Sequence, residues 1–95
     1  MQFLKRLREP IRNGEITCSI RIWKSARVKV GGRYRLDPGF IEVTSVREIQ
    51  VQDVTPDLAR QSGFAGVIDL LKTAKHGSGR HVYLIEFEFL PSTEL

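Results

Sequence analysis

The stretch NGEITCSIRIWKSARVKVGGRYRL, residues 13–36, brings a turn, an alternating strand and a dense set of cations together. Asn13-Gly14 predicts a turn, because both residues tolerate positive φ. Beyond it, Cys18, Ile20 and Ile22 alternate with more polar residues, and a period of two is typical of a β-strand. We therefore expect one face of this strand in the core and the other exposed as a candidate binding surface.

The expected outer face of this strand carries an arginine and a tryptophan, and more cations follow along the chain. A guanidinium can hold phosphate bidentately and an indole can stack on a base, so the composition favours a nucleic-acid partner. The predicted binding residues here are Arg21, Trp23, Lys24, Arg27, Lys29, Arg33 and Arg35. Two alternatives remain open: Arg21 pairs with an acid such as Glu42 or Glu86 across the sheet, and Trp23 caps one end of the fold.

The net charge of +4 conceals an uneven distribution along the chain. Residues 1–36 contain ten Lys and Arg against two acids, which gives +8, whereas residues 37–95 contain five against nine, which gives −4. Clustered cations attract phosphates and release their counterions, so the first third predicts an anionic partner, RNA or a nucleotide. The alternative is a solvated face that only keeps the protein in solution.

Length and composition predict one small domain, spanning residues 1–95. No apolar run approaches the roughly 20 residues that span a bilayer, and the start lacks the uninterrupted apolar stretch of a secretory signal. We therefore expect a cytoplasmic monomer without membrane contacts. One cysteine and two histidines offer no ligand cluster, so neither a metal nor another cofactor is predicted.

Turn and helix signals predict an α+β order of elements. A short strand at 1–4 and a short helix ending at Asn13-Gly14 precede the alternating strand. Residues 40–53 are rich in β-branched side chains and predict two strands, or one long strand broken near 45–48. The five or six strands expected in all would curl into a small, mostly antiparallel β-barrel.

Two helices are expected before the last strand. Thr55-Pro56-Asp57 predicts the start of the first, with a cap, a proline and an acid in their favourable places, and its end at 62–63. The second covers about 65–75 and is expected to bury Val67, Ile68, Leu70 and Leu71. An apolar strand at 81–89, with its apolar face formed by alternate residues, closes the fold.

With these elements placed, the chain resembles the ASCH domain family, small barrels similar to the PUA domain of RNA-modifying proteins. The likeness rests on the helix ending in glycine, the strand with Arg21, the segment GGRYRL, the two-helix insertion and the closing strand YLIEFEF. The family motif is a glycine, a lysine two positions on, a glutamate or threonine three further and an arginine two further. Gly14 and Arg21 match this motif, whereas Ile16 and Ser19 replace the lysine and the Glu or Thr.

The resemblance implies RNA or nucleotide binding in a basic cleft, with a hydrolase as the alternative. Some small bacterial members are amidohydrolases on N4-acetylcytidine, for which the lysine, the threonine and a glutamate in the first inserted helix are implied to be catalytic. Here Ser62 stands nearest to that glutamate. Other relatives are described as ribonucleases, so the sequence leaves open whether this chain is an enzyme.

The loop KHGSGRH, residues 75–81, is the second region with candidate site residues. Lys75 and Arg80 are predicted to extend the nucleic-acid-binding surface, and His76 and His81 are the side chains whose pKa suits a general base at neutral pH. The alternative for this loop is a solvated turn. Ser19, His76 and His81 are thus the candidate catalytic residues.

Two residues of the alternating strand are expected in the core. Cys18 lies on the apolar face and is interpreted as a small buried hydrophobe rather than a nucleophile. Ile16 is expected on the same face as Cys18, Ile20 and Ile22, because it continues their alternation.

Overall fold

The computed structural model describes residues 1–75 and 79–91. Within these ranges the chain forms three α-helices, four strands and one 3₁₀ turn. In chain order the elements are α1 (Lys5–Arg12), β1 (Cys18–Trp23), β2 (Arg33–Leu36), β3 (Gly39–Ile49), the 3₁₀ turn (Val51–Asp53), α2 (Pro56–Gln61), α3 (Val67–Ala74) and β4 (His81–Leu90). The predicted α+β class and the two-helix insertion before the last strand are confirmed.

All four strands form one antiparallel sheet in the order β1-β4-β3-β2. The sheet curls into half a barrel, with β1 and β2 as its two edges. β4 is the last strand along the chain, but in the sheet it lies between β1 and β3 and pairs with both. It therefore connects segments that are far apart in sequence.

The strand predicted at residues 1–4 is not formed, and this segment is irregular. Phe3 is instead buried in the core, and the Gln2 carbonyl accepts a hydrogen bond from the side chain of Arg21 rather than from a strand. For residues 40–53, the single long strand is the observed alternative. Its register shifts between Val43 and Ser45, which places the irregularity at the edge of the predicted break.

Both faces of β1 and β4 are covered, so the prediction of one open face on β1 is wrong. Cys18, Ile20 and Ile22 pack with α2 and α3 in what we call the α2/α3 core, which also contains Val82 and Leu84. The opposite face packs with α1 in the α1 core, whose buried members are Phe3, Leu7, Ile11, Ile16, Trp23, Val28, Leu36, Ile41, Val43, Ile85 and Phe87. Alternation along β1 thus separates two buried surfaces rather than core from solvent.

Helix boundaries follow the local signals closely. The Thr55 side chain accepts a hydrogen bond from the Leu58 N–H and so caps α2, as predicted. In α3 only Leu70 and Ala74 are buried, and Ile68 is 71% exposed, so its expected burial is wrong. No helix in 1–75 or 79–91 has the length and apolar character needed to cross a bilayer.

Candidate functional site

The predicted cationic residues lie at different parts of the sheet. Lys24 and Arg27 are exposed in the connection after β1, whereas the exposed Arg33 and Arg35 lie on β2 at the far edge of the sheet. Lys29 lies next to β2, because its N–H donates to the Tyr34 hydroxyl. Arg33 and Arg35 are ion-paired, with Glu42 at 2.9 Å and with Asp37 at 2.7 Å.

Trp23 lies in the α1 core and is only 3% exposed. Its ring lies 5.9 Å from the ring of Tyr83, and the guanidinium of Arg27 lies over it at 5.9 Å. A buried ring cannot offer its face to a base, so the geometry favours the capping interpretation of Trp23.

A cavity of about 210 Å³ opens beside β1, between the N-terminal segment, α1 and the two inserted helices. The cavity is lined by four of the five positions that the family resemblance singles out, Ile16, Ser19, Arg21 and Ser62, but not by Gly14. The four lining residues come from the α1–β1 connection, from β1 and from the end of α2. The structure thus brings together positions that are up to 46 residues apart in sequence.

The wall of this cavity is largely apolar. Its apolar residues include Phe3, Leu7, Ile20 and Phe64. No carboxylate belongs to the described part of the lining. Phe3, Leu7 and Phe64 were not predicted as site residues, because no local pattern indicates that α1 and the α2–α3 connection converge on β1.

Arg21 is the cationic group of the cavity, and its described partners are all neutral. Its Nε donates to Ser19 Oγ at 2.9 Å, its Nη2 donates to the Gln2 carbonyl at 2.6 Å, and the guanidinium lies 5.2 Å from the ring centroid of Phe3. Neither acid considered as its partner, Glu42 or Glu86, pairs with it. Burial lowers the pKa of Arg21 to about 10, so the group remains protonated at neutral pH.

Two serine hydroxyls face this cavity with complementary hydrogen-bonding capacity. Ser19 accepts from Arg21, so its own proton is free to donate. Ser62 donates to the Ala59 carbonyl at 2.9 Å, so its oxygen can still accept. Both side chains are buried, Ser19 at 8% and Ser62 at 2% exposure, which fixes their positions in the wall.

Backbone groups of β1 add a second set of donors and acceptors. The Phe87 N–H donates to the Thr17 carbonyl, so odd-numbered residues of this strand direct their backbone toward β4. Because direction alternates along an antiparallel strand, Cys18 and Ile20 direct their N–H and C=O groups away from β4, toward the edge of β1 on which Ile22 forms an isolated bridge with Lys75. Cys18 and Ile20 both line the cavity, so this edge offers polar groups between apolar walls.

Ile16 packs in the α1 core, whereas Cys18, Ile20 and Ile22 pack in the α2/α3 core, so the expectation that the four share one face is wrong, although Ile16, Cys18 and Ile20 all line the cavity. Ile16 precedes β1, and its N–H donates to the Pro10 carbonyl at 3.3 Å. The alternation of the strand does not extend back to position 16, because the chain there still follows the end of α1.

The candidate catalytic residues are not brought together. Ser19 pairs with Ile85 in the sheet, whereas His81 pairs with Trp23 four residues further along β1, about 13 Å away at the rise of a strand. His81 instead lies 2.9 Å from Glu48 through its Nδ1. His76 lies outside the described residues. Lys75 and Arg80 line a separate depression near Glu48.

Cys18 is buried at the cavity wall, and burial together with Glu86 raises the pKa of its thiol to about 11. The reactive thiolate is therefore scarce at neutral pH, which agrees with its interpretation as a small buried hydrophobe. Across residues 1–75 and 79–91, no group of three His, Cys, Asp or Glu side chains is arranged to hold a metal ion.

No protein-family model, curated protein or solved structure matches this chain. The resemblance to ASCH domains thus stays a prediction, and the cavity has to be interpreted from its own chemistry.

Proposed function

We propose that this chain is a PUA-like protein of the ASCH type that binds a nucleotide, free or exposed in RNA, in the cavity beside β1. The observation that carries the proposal is the guanidinium of Arg21, which is half-buried at the cavity wall and whose hydrogen-bond partners among the described residues are all neutral. A partly desolvated cation that no described carboxylate pairs with attracts an anionic ligand, because the lowered local dielectric strengthens the interaction.

The size of the cavity suits a single aromatic ring. A cavity of about 150 Å³ holds benzene in a well-studied protein, and the cavity here is about 210 Å³. A pyrimidine ring fits such a volume, whereas the ribose and phosphate would remain at the mouth. Arg21 would then meet the phosphate while the ring contacts the apolar wall.

The polar groups of the cavity match the edge of a base. Ser19 can donate, Ser62 can accept, and the backbone of Ile20 can do both. A base has hydrogen-bond donors and acceptors along its edge and apolar faces above and below its plane. The cavity likewise combines a few polar groups with apolar walls. Precise polar groups in an apolar pocket are typical of small-molecule sites.

The positions at the cavity wall also support the assignment to the ASCH type. Ile16, Ser19, Arg21 and Ser62 were aligned to family positions by sequence spacing alone, and all four line the same cavity. Such convergence is expected if the chain has the family's architecture. The half-barrel sheet with two inserted helices is compatible with it.

The test is the affinity for cytidine 5′-monophosphate, measured by calorimetry for the native protein and for Arg21→Gln. We expect binding by the native protein and a loss of at least about tenfold in the variant, since a charge-assisted contact contributes about 1.5–3 kcal/mol. Arg60→Gln is the matched control, because Arg60 is exposed and pairs only with Asp57.

The proposal would be overturned if the native protein did not bind cytidine monophosphate. It would also be overturned if Arg21→Gln, Arg60→Gln and the native protein bound it with equal affinity. Cytidine without phosphate separates the two parts of the ligand. It should bind more weakly than the monophosphate, and its affinity should depend little on Arg21.

A hydrolase in the same cavity has less support from the geometry. Hydrolysis needs a group that activates water or a nucleophile, and neither a carboxylate nor a histidine lines the described part of the cavity. Ser19 Oγ accepts a hydrogen bond from Arg21, and no described base lies beside it. Substitution of Ile16 by lysine tests this alternative.

A further inference from the structure

We propose that a second site, an open groove between α1 and β2, holds the phosphate backbone of single-stranded RNA. The groove has a volume of about 810 Å³ and lies apart from most of the cavity residues, with Gln2 and Phe3 lining both. The inference deepens the nucleotide-binding proposal, on which its choice of RNA rests. We call this site the α1–β2 groove.

The walls of the α1–β2 groove are cationic. Lys5, Arg8 and Arg12 follow helical spacing on one side of α1, and Arg33 and Arg35 share one face of β2. The lining includes two carboxylates, Glu9 and Asp37, so its side chains carry five cations against two anions, and Glu42, outside the lining, pairs with Arg33. Three of these cations belong to α1, outside the stretch from which a binding surface was predicted.

The ion pairs in the groove leave it open to an external anion. Three of the five cations form ion pairs at the surface, Arg12 with Glu9, Arg33 with Glu42 and Arg35 with Asp37, and such pairs contribute only about 0–1 kcal/mol. Among the described residues no carboxylate pairs with Lys5 or Arg8, and Arg8 reaches only the Phe3 carbonyl, at 3.3 and 3.4 Å. Both cations are thus available for phosphate contacts.

The shape of the groove is fixed from below and at one end. Phe3 and Leu36, which are buried, line it together with the half-buried Tyr34. At the turn between β2 and β3, Arg12 donates to the Asp37 carbonyl at 3.0 Å and so ties α1 to the hairpin. A preformed concave surface loses little entropy when a flexible strand binds.

Four of the five cations are arginines, whose planar forks match phosphate bidentately. Tyr34 lies between Arg33 and Arg35 in sequence and lines the groove with them. The Cζ of Arg35 lies 5.4 Å from the ring centroid of Phe40, which is partly exposed. Cationic tracks with neighbouring aromatic rings are typical of single-strand binders. A ligand with an aromatic ring for the cavity and anions for the adjacent groove is a nucleic acid rather than an acidic peptide.

The experiment measures the affinity for a labelled oligouridine of about 12 nucleotides over a range of salt concentrations. The variant is Lys5→Gln with Arg8→Gln. Two lost contacts should lower the slope of log affinity against log salt by about 1.4, and raise Kd roughly 25-fold at 0.1 M salt. The matched control is Lys72→Gln with Arg60→Gln, which removes a lysine and an arginine from exposed positions outside both the groove and the cavity.

The control pair should change the slope by much less than the groove pair. Equal slopes for the native protein and the groove variant, or no oligouridine binding at all, would overturn the inference. Competition by polyglutamate as strong as by unlabelled oligouridine would overturn it in favour of an acidic protein partner.

Failure of the groove and failure of the nucleotide cavity give different results. If cytidine monophosphate binds, but oligouridine binds no more tightly than the monophosphate and its affinity lacks the expected salt dependence, only the groove proposal fails. If oligouridine binding depends on Lys5 and Arg8 while the monophosphate does not bind, the groove stands and the cavity proposal fails.

Discussion

At the scale of single residues, the cavity depends on how Arg21 and Ser19 are held. The hydrogen bond from Arg21 to Ser19 and the second one to the Gln2 carbonyl fix the guanidinium without neutralising it. Ile16 lies in the same lining and is 8% exposed, at the position where the resemblance to ASCH amidohydrolases implies a lysine. The described lining therefore offers hydrogen-bonding groups but neither a carboxylate nor a histidine.

We predict that Ile16→Lys releases no acetate from N4-acetylcytidine. A lysine at this position would gain an amine in the cavity, but no carboxylate in the described lining would orient it or accept its proton. The thermal stability of the Ile16→Lys variant should also fall, because a charged side chain replaces a buried isoleucine. Acetate release is measured together with a thermal melt, which shows whether the variant is folded.

The double variant Ile16→Lys with Ser62→Glu is the informative comparison, since it supplies the amine and the carboxylate together. Acetate release by the single variant would contradict this interpretation of the cavity and would show that its other groups already suffice for catalysis.

At the scale of elements, Gly63 sets the packing of the α2–α3 connection against α1 and Ile16. Its φ of +96° is in the region that favours glycine, and a Cβ there would lie 2.6 Å from Leu7 Cδ2 and 2.8 Å from Ile16 Cδ1. Its carbonyl accepts a hydrogen bond from Arg6 at 2.7 Å. Gly63 thus places Ser62 at the cavity wall.

We predict that Gly63→Ala lowers the free energy of unfolding by about 2–4 kcal/mol, from the positive φ and from overpacking together. Gly14→Ala is the control, because Gly14 has a φ of +77° but no atom within 4 Å of an added Cβ. It should lose only the conformational part, about 1–2 kcal/mol. Denaturant unfolding measures both, and equal losses would show that the contacts with Leu7 and Ile16 contribute nothing.

At the scale of the whole molecule, β4 contributes buried side chains to both the α1 core and the α2/α3 core. Val82 and Leu84 face the α2/α3 core, and Ile85 and Phe87 face the α1 core. Since β4 also pairs with β1 and β3, it connects every layer of the fold. Damage to this strand is expected to unfold the domain as one unit.

We predict that Ile85→Ala lowers the free energy of unfolding by about 2–5 kcal/mol, because Ile85 is fully buried and its loss leaves a cavity. Ile68→Ala removes the same atoms from a side chain that is 71% exposed, and should change stability by less than about 0.5 kcal/mol. A large loss for Ile68→Ala in denaturant unfolding would mean that this side chain is covered in solution.

Local signals in the sequence determined the class of fold and most helix boundaries. Asn13-Gly14 ends α1, Thr55 caps α2, and the alternating patterns predict β1 and β4, because caps, turns and periodicity act within a few residues. Charge counting likewise located the cations in the first third of the chain.

Tertiary structure alone decided which residues meet. The pairing of β4 with β1 and β3 buries both faces of β1, so Trp23 is in the core although the exposed cations Lys24 and Arg27 follow it in sequence. The same packing brings Ser62 to Ser19, and α1 to β2, across long stretches of chain. Burial and proximity depend on contacts between distant segments, and a pattern that extends over a few residues contains no information on those contacts.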